Sequence, residues 1–140
     1  MTDANLDDLD PRLQPIAEQF LVLCNAQFAT KIIVTWRSAE DQDIAHANGL
    51  SNAGAGESPH NCTDAAGRPA ARAFDFAVFN ADGSYVTDGT DERYGQAGEI
   101  AKNLLLAWGG DWLQPDFDHV ELTGWKSLTA PAAQQGTAVT

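Results

Sequence analysis

The sequence predicts a small α+β domain in which helices pack against an antiparallel sheet. Three observations carry this. Segments with a period near 3.6 and segments with a period of two follow one another without the regular alternation of parallel α/β units. The chain has 140 residues, the length of one domain, and a domain of that size buries roughly two-thirds of its unfolded surface. Its 44% hydrophobic and 20% charged residues are far from the composition of a disordered chain. One domain is expected over residues 1–128, with 129–140, rich in Ala, Gln and Thr, as a flexible tail.

The chain opens with Asp3, Asp7, Asp8 and Asp10, read as a solvated acidic lead. Pro11 suits a first helical turn behind Asp10 as cap. Leu13, Ile16, Ala17, Phe20, Leu23 and Cys24 then recur at helical spacing, which predicts a helix to about Phe28. Residues 31–37 (KIIVTWR) are β-branched and aromatic, a strand with Ile32, Val34 and Trp36 on one face. Ser38 with Asp41 begins a short capped helix through His46, closed by Gly49. Residues 50–71 show no period and are expected to be a long functional loop.

Residues 73–79 (AFDFAVF) alternate, so Phe74, Phe76 and Val78 face one way, and Asp75 stands with Ala73 and Ala77 on the other face. The Asp-Gly in 80–89 marks a hairpin or loop. A helix is expected over 92–108, with Ile100, Leu104 and Trp108 on one stripe and Gly109 and Gly110 as its stop. Residues 117–122 (FDHVEL) form a last strand in which His119 and Glu121 share a face.

Twenty acidic residues against eight basic ones give a net charge of -12, and no stretch supplies the cationic stripe that phosphate binding requires. Nucleic acid is therefore not an expected partner. No apolar run reaches membrane-spanning length, so membrane insertion is not expected either, and MTDANLDDLD lacks the basic and apolar regions of a secretory signal. The expectation is a protein made in, and at first held in, the cytoplasm. Cys24 and Cys62 are too few for a disulfide framework and are read as thiols, Cys62 as a buried, inert one.

Of three histidines, His60 and His119 lie beside or on strands near carboxylates, while His46 reads as a surface residue. Zinc in hydrolases takes three N or O protein ligands and leaves a fourth position to water, a count that two histidines and Asp75 would meet.

The ordered segments Ser58-Pro59-His60, Ala73-Phe74-Asp75 and Asp116-Phe117-Asp118-His119-Val120-Glu121 resemble the signature of the M15-type zinc peptidases, the clan of D-Ala-D-Ala carboxypeptidases and dipeptidases. Within it the chain most resembles the L-alanyl-D-glutamate endopeptidases that phages use as endolysins. Trp36-Arg37-Ser38, followed by Gln42 and Gly49, resembles the family's region upstream of the first ligand.

The resemblance implies a hedgehog/DD-peptidase-like fold and Zn²⁺ held by His60, Asp75 and His119. It implies Asp116 as general base, and Arg37 facing the substrate as oxyanion stabiliser or carboxylate clamp, with Ser58 and Gln42 also at the substrate. It further implies a monomer that cuts peptidoglycan, reaching the wall only after release from the producing cell. Family members commonly carry the aspartate sooner after the first histidine. Here fifteen residues separate Asp75 from His60, and 62–72 (CTDAAGRPAAR) is an insertion of the kind a surface loop accepts at little cost.

Strand alternation favours the same base. Asp118 points away from the face of His119, whereas Asp116 follows Pro115 and precedes the strand, where a turn can swing it back. Glu121 shares the face of His119 and is an alternative, as base or as a group orienting a ligand. Trp36, Trp108, Trp112 and Trp125 read as core or cleft walls, with Trp112 or Trp125 placed to stack on sugar. Two rivals remain, a D,D-carboxypeptidase or dipeptidase of the same clan and a non-catalytic, zinc-stabilised phage structural or binding module.

Overall fold

A computed structural model of the protein describes residues 1–49 and 58–133. Positions 50–57 of the expected 50–71 loop and 134–140 of the expected tail lie outside the described residues.

Three α-helices and a four-stranded sheet are formed among the described residues: α1 (Gln14–Asn25), α2 (Ala39–Ala47), α3 (Glu92–Asn103), β1 (Ala29–Val34), β2 (Ala73–Phe79), β3 (Leu106–Trp108) and β4 (His119–Leu122). The strand order is β1-β2-β4-β3 and every pairing is antiparallel, which bears out the α+β expectation. β2 spans the residues predicted. Its Phe74 and Phe76 each lie 5.2 Å, ring centroid to ring centroid, from Phe20 of α1, and Phe76 lies 5.5 Å from Tyr94 of α3. These rings make the centre of one core, and alternation leaves Asp75 on the opposite face of the strand.

α2 begins as predicted, with Ser38 Oγ accepting the Asp41 N–H at 3.1 Å, and Gly49 follows it at φ +72°. Residues 80–89 open with a turn in which the Asn80 N–H donates to the Ser84 carbonyl, with Gly83 at φ +88°.

Four boundaries differ from the sequence reading. α1 begins at Gln14 with Pro15 in its first turn, three residues after the expected start, because Asp10 caps a turn over 11–13 instead, its Oδ1 accepting the Arg12 N–H at 2.9 Å. Its carboxylate is fully buried and also binds the Arg12 guanidinium at 2.6 Å and Arg72 at 3.7 Å. β1 ends at Val34 and not at Arg37. A bulge between Ile32 and Val34 turns the chain off β2, and residues 35–37 pair with the N-terminal lead: Thr35 N–H donates to Asp3 O at 2.7 Å, and Asp3 N–H to Trp36 O at 3.0 Å. The acidic lead is therefore part of the fold rather than a solvated overhang.

The third difference is the largest. The helix expected to reach Trp108 stops at Asn103, Leu105 adopts φ +66°, and the chain returns as β3 against β4. The expected stripe of Ile100, Leu104 and Trp108 packs half-buried at the edge of the core and is not the most buried face. α3 buries Tyr94, Ala97, Gly98 and Ala101, and the Trp108 ring folds back onto Gly98 so closely that a Cβ there would stand 2.3 Å from it. β4 starts at His119, two residues later than expected, because Asp116 O accepts the His119 N–H at 3.2 Å in a turn ahead of the strand.

Candidate metal centre

Asp75 of β2 and His119 of β4 are direct cross-strand partners, so their side chains lie next to each other on one face of the sheet. His60 reaches them from a single 3-10 turn, Pro59–Asn61. Ser58 caps that turn by accepting the His60 N–H at 3.1 Å, and Asn61 Oδ1 accepts the Ser58 N–H at 3.2 Å. The turn is fastened from outside by Arg37 N–H to His60 O and by Arg72 N–H to Pro59 O, both 2.9 Å. Strand pairing and a capped turn thus bring together residues that stand far apart in sequence.

His60 Nε2 lies 3.2 Å, and His119 Nδ1 3.1 Å, from the same atom, Asp75 Oδ1. The imidazoles meet edge to face at 5.2 Å and are only 3% and 5% exposed. Their outer nitrogens are engaged as well. His60 Nδ1 is 2.7 Å from Thr35 O, and His119 Nε2 is 2.8 Å from Glu121 Oε1. A carbonyl or carboxylate oxygen only accepts, so each outer nitrogen carries a hydrogen, and each inner nitrogen faces Asp75, where it holds either a proton or, once deprotonated, a lone pair for an ion.

One potential ligand atom from each of these three residues falls within 4.8 Å of the others. Two imidazole nitrogens and a carboxylate oxygen, each imidazole held in one tautomer by an outer partner, fit a divalent ion such as zinc. With a proton as the only cation, the same geometry polarises the group. Burial would raise the Asp75 carboxyl, but the His60 charge and the hydrogen bonds from both imidazoles hold it far below the usual carboxylate range. Burial would lower His119, but its hydrogen bonds to Asp75 and Glu121 push it up to about 10.

Asp116 is exposed three residues before His119, whose N–H its carbonyl accepts at 3.2 Å. Its N–H donates to Gly109 O at 2.9 Å, and it lines a groove of about 230 Å³ with Asp118, Phe117, Tyr85 and Tyr94. Asp118 is more enclosed. Burial, the Asp75 charge and a hydrogen bond to Asp116 push its carboxyl up to about 9. Arg37 Nη1 donates to Gln42 Oε1 at 3.1 Å. Of the two other residues expected at the substrate, Gln42 is 0% and Ser58 5% exposed; Gln42 accepts from Arg37, and Ser58 accepts the His60 N–H. Cys62 is outside the His60–Asp75–His119 group, with its thiol pushed up by burial, and His46 is exposed on α2.

Two contributors carried no usable sequence signal. Thr35 acts through its backbone carbonyl, which every residue has. Gly109, expected only as a helix stop, lets the Asp116 turn pack close, since a Cβ there would stand 2.4 Å from Asp116 O and 3.2 Å from His119 Cβ.

No protein-family model matches the chain. It is, however, 31% identical over 130 residues to the peptidoglycan L-alanyl-D-glutamate endopeptidase CwlK of Bacillus subtilis (strain 168), with 79% of this chain and 73% of CwlK covered. The chain belongs to the M15-type peptidases, among the L-alanyl-D-glutamate endopeptidases. A crystal structure of the Serratia marcescens L-Ala D-Glu endopeptidase ChiX shares the fold with a TM-score of 0.64, at 21% identity and covering 84% of this chain and 83% of ChiX. Membership in this family agrees with the donor set that the fold assembles. No helix among the described residues is long and apolar enough to cross a membrane.

Proposed function

We propose that this M15-type peptidase hydrolyses the L-alanyl-D-glutamate bond of the peptidoglycan stem, with zinc held by His60, Asp75 and His119. The observation that carries this reading is the convergence of three donors whose imidazole tautomers are set by Thr35 O and Glu121. Zinc, held by these three residues, would supply Lewis acidity for the scissile carbonyl and a water that gives up its proton near neutral pH.

The chain's own residues supply the rest. Asp116, exposed in the turn that leads into His119, takes a proton from the attacking water and returns it to the leaving amine. Arg37, steadied by Gln42, presents its fork to the developing oxyanion or to a stem carboxylate. Glu121 keeps His119 in register as a ligand, which places it outside the role of base. In a cell, the enzyme acts as a monomeric endolysin of phage type. It is held in the cytoplasm until release, has no nucleic-acid partner, and causes host lysis once it meets the wall.

Mass analysis of muropeptides released by the zinc-loaded protein tests this. New amino-terminal D-Glu is expected. Release of D-Ala would transfer the reading to a D,D-carboxypeptidase or dipeptidase, and zinc binding without any product would leave a non-catalytic zinc-stabilised phage module.

A further inference from the structure

Trp112 and Trp125 take no part in the chemistry above, yet both line a groove of about 470 Å³ together with Pro59, Glu121, Lys126 and Ser127. This volume is that of a small-ligand site, roughly 300–1,000 Å³. The groove opens at the metal group. The Trp112 ring lies 5.0 Å from that of His119, Glu121 lies 2.8 Å from His119 Nε2, and Pro59 adjoins His60. Trp112 is 41% exposed, and Lys126 Nζ sits 5.7 Å from the centre of the Trp125 ring. The groove lined by Asp116 is separate and shares no lining residue with this one.

We propose that the Trp112–Trp125 groove binds the N-acetylmuramyl sugar that carries the stem peptide, so that the enzyme grips glycan and peptide together. This rests on the proposed cleavage of the L-alanyl bond. With Asp116 returning a proton to the leaving amine, the proposal seats the leaving part of the substrate in the groove lined by Asp116 and the acyl part in the separate tryptophan groove. The acyl part is one alanine joined to the sugar through a lactyl group, and one extended residue spans only about 3.6 Å. The sugar therefore meets the first groove beside the metal. Its chemistry suits a pyranose: indole faces for the C–H surface, and Lys126, Ser127 and Glu121 for the hydroxyl and N-acetyl groups.

Two substrates test the proposal, muramyl tetrapeptide and the same peptide with an acetyl group in place of the sugar. The zinc-loaded protein is expected to favour the muramyl substrate by about three- to tenfold in kcat/KM, chiefly through KM. Trp125→Ala should bring the ratio near one. Because Trp125 also packs against the core, exposed Lys126→Ala is a second variant, expected to reduce the ratio part of the way. Equal kcat/KM for both substrates, or an undiminished ratio in both variants, overturns the proposal. If neither substrate is cut, the cleavage reading fails by itself. The groove is then judged by N-acetylmuramyl-L-alanine titrated against tryptophan fluorescence, where saturable binding lost in Trp125→Ala supports the sugar site and absence of binding overturns it.

Discussion

Thr35 offers its backbone carbonyl to His60 Nδ1 at 2.7 Å, and Asp3 holds Thr35 by accepting its N–H at 2.7 Å and its hydroxyl at 2.6 Å. The orientation of one metal ligand is thereby tied to the first residues of the chain. Outer partners of metal-binding imidazoles are commonly worth about 10–100-fold in affinity, and Asp3 stands one step further out. Asp3→Ala is expected to weaken zinc binding several-fold, and Asp3→Asn, which keeps an acceptor, less. Competition against a chromogenic chelator measures both, and unchanged affinity would break the link.

Glu121 and Asp116 are separable by what each loses. Glu121→Ala removes the acceptor on His119 Nε2 and is expected to weaken zinc binding by about 10–100-fold. Asp116→Ala should keep zinc and the fold while kcat falls by about 10²–10⁴-fold. The reverse pattern, with zinc retained and turnover lost in the Glu121 variant, would make Glu121 the base.

Zinc must displace a proton. With its pKa pushed up to about 10 from an ordinary 6.5, His119 is protonated at neutral pH in the metal-free protein. Titration calorimetry near pH 7 in buffers of different ionisation enthalpy is expected to show release of about one proton per zinc bound. The stability signs are opposite for the pair. The raised His119 contributes stability that is complete below 6.5 and lost as pH rises through about 10; the lowered Asp75 contributes stability present above 3.8 and lost in acid. Chelated protein should accordingly lose stability at both ends of the range.

Asp8 is pushed up to about 6 by burial and by the neighbouring Asp3. A raised carboxyl contributes stability that is present below its ordinary 3.8 and lost as pH rises through about 6. Asp8→Asn is therefore expected to melt higher than the parent at pH 7.5, by no more than about 1 kcal/mol at this part-exposed site, with no gain at pH 4. Thermal melts at the two pH values check it.

Gly98→Ala drives a methyl group into the Trp108 ring, 2.3 Å from its nearest atom. Overpacking of this kind costs about 1–3 kcal/mol, and urea unfolding should show it. Gly95, where a Cβ meets nothing within 4 Å on the same helix, is the control: Gly95→Ala should stabilise by about 1 kcal/mol or less.

What the residues themselves determined was β2, with Asp75 on the face away from the phenylalanines, the Ser38 cap of α2, and His60, Asp75 and His119 as an ordered candidate set. The strand and the cap rest on local rules, the period of two and the hydrogen-bonding reach of a capping hydroxyl, that need no distant partner; the set of three rests on the resemblance of its ordered segments to the M15-type peptidases. The end of α3, the burial of Asp10 and the anchoring of the acidic lead were decided only in three dimensions. A helical stripe does not reveal that Trp108 will return to Gly98, and a run of aspartates does not reveal that Arg12 and Arg72 will meet one of them. The same limit applies to the tautomer of His60, which depends on the backbone carbonyl of Thr35, an atom every residue has and that only the fold brings near. That of His119 was partly legible, because strand alternation already puts Glu121 on its face.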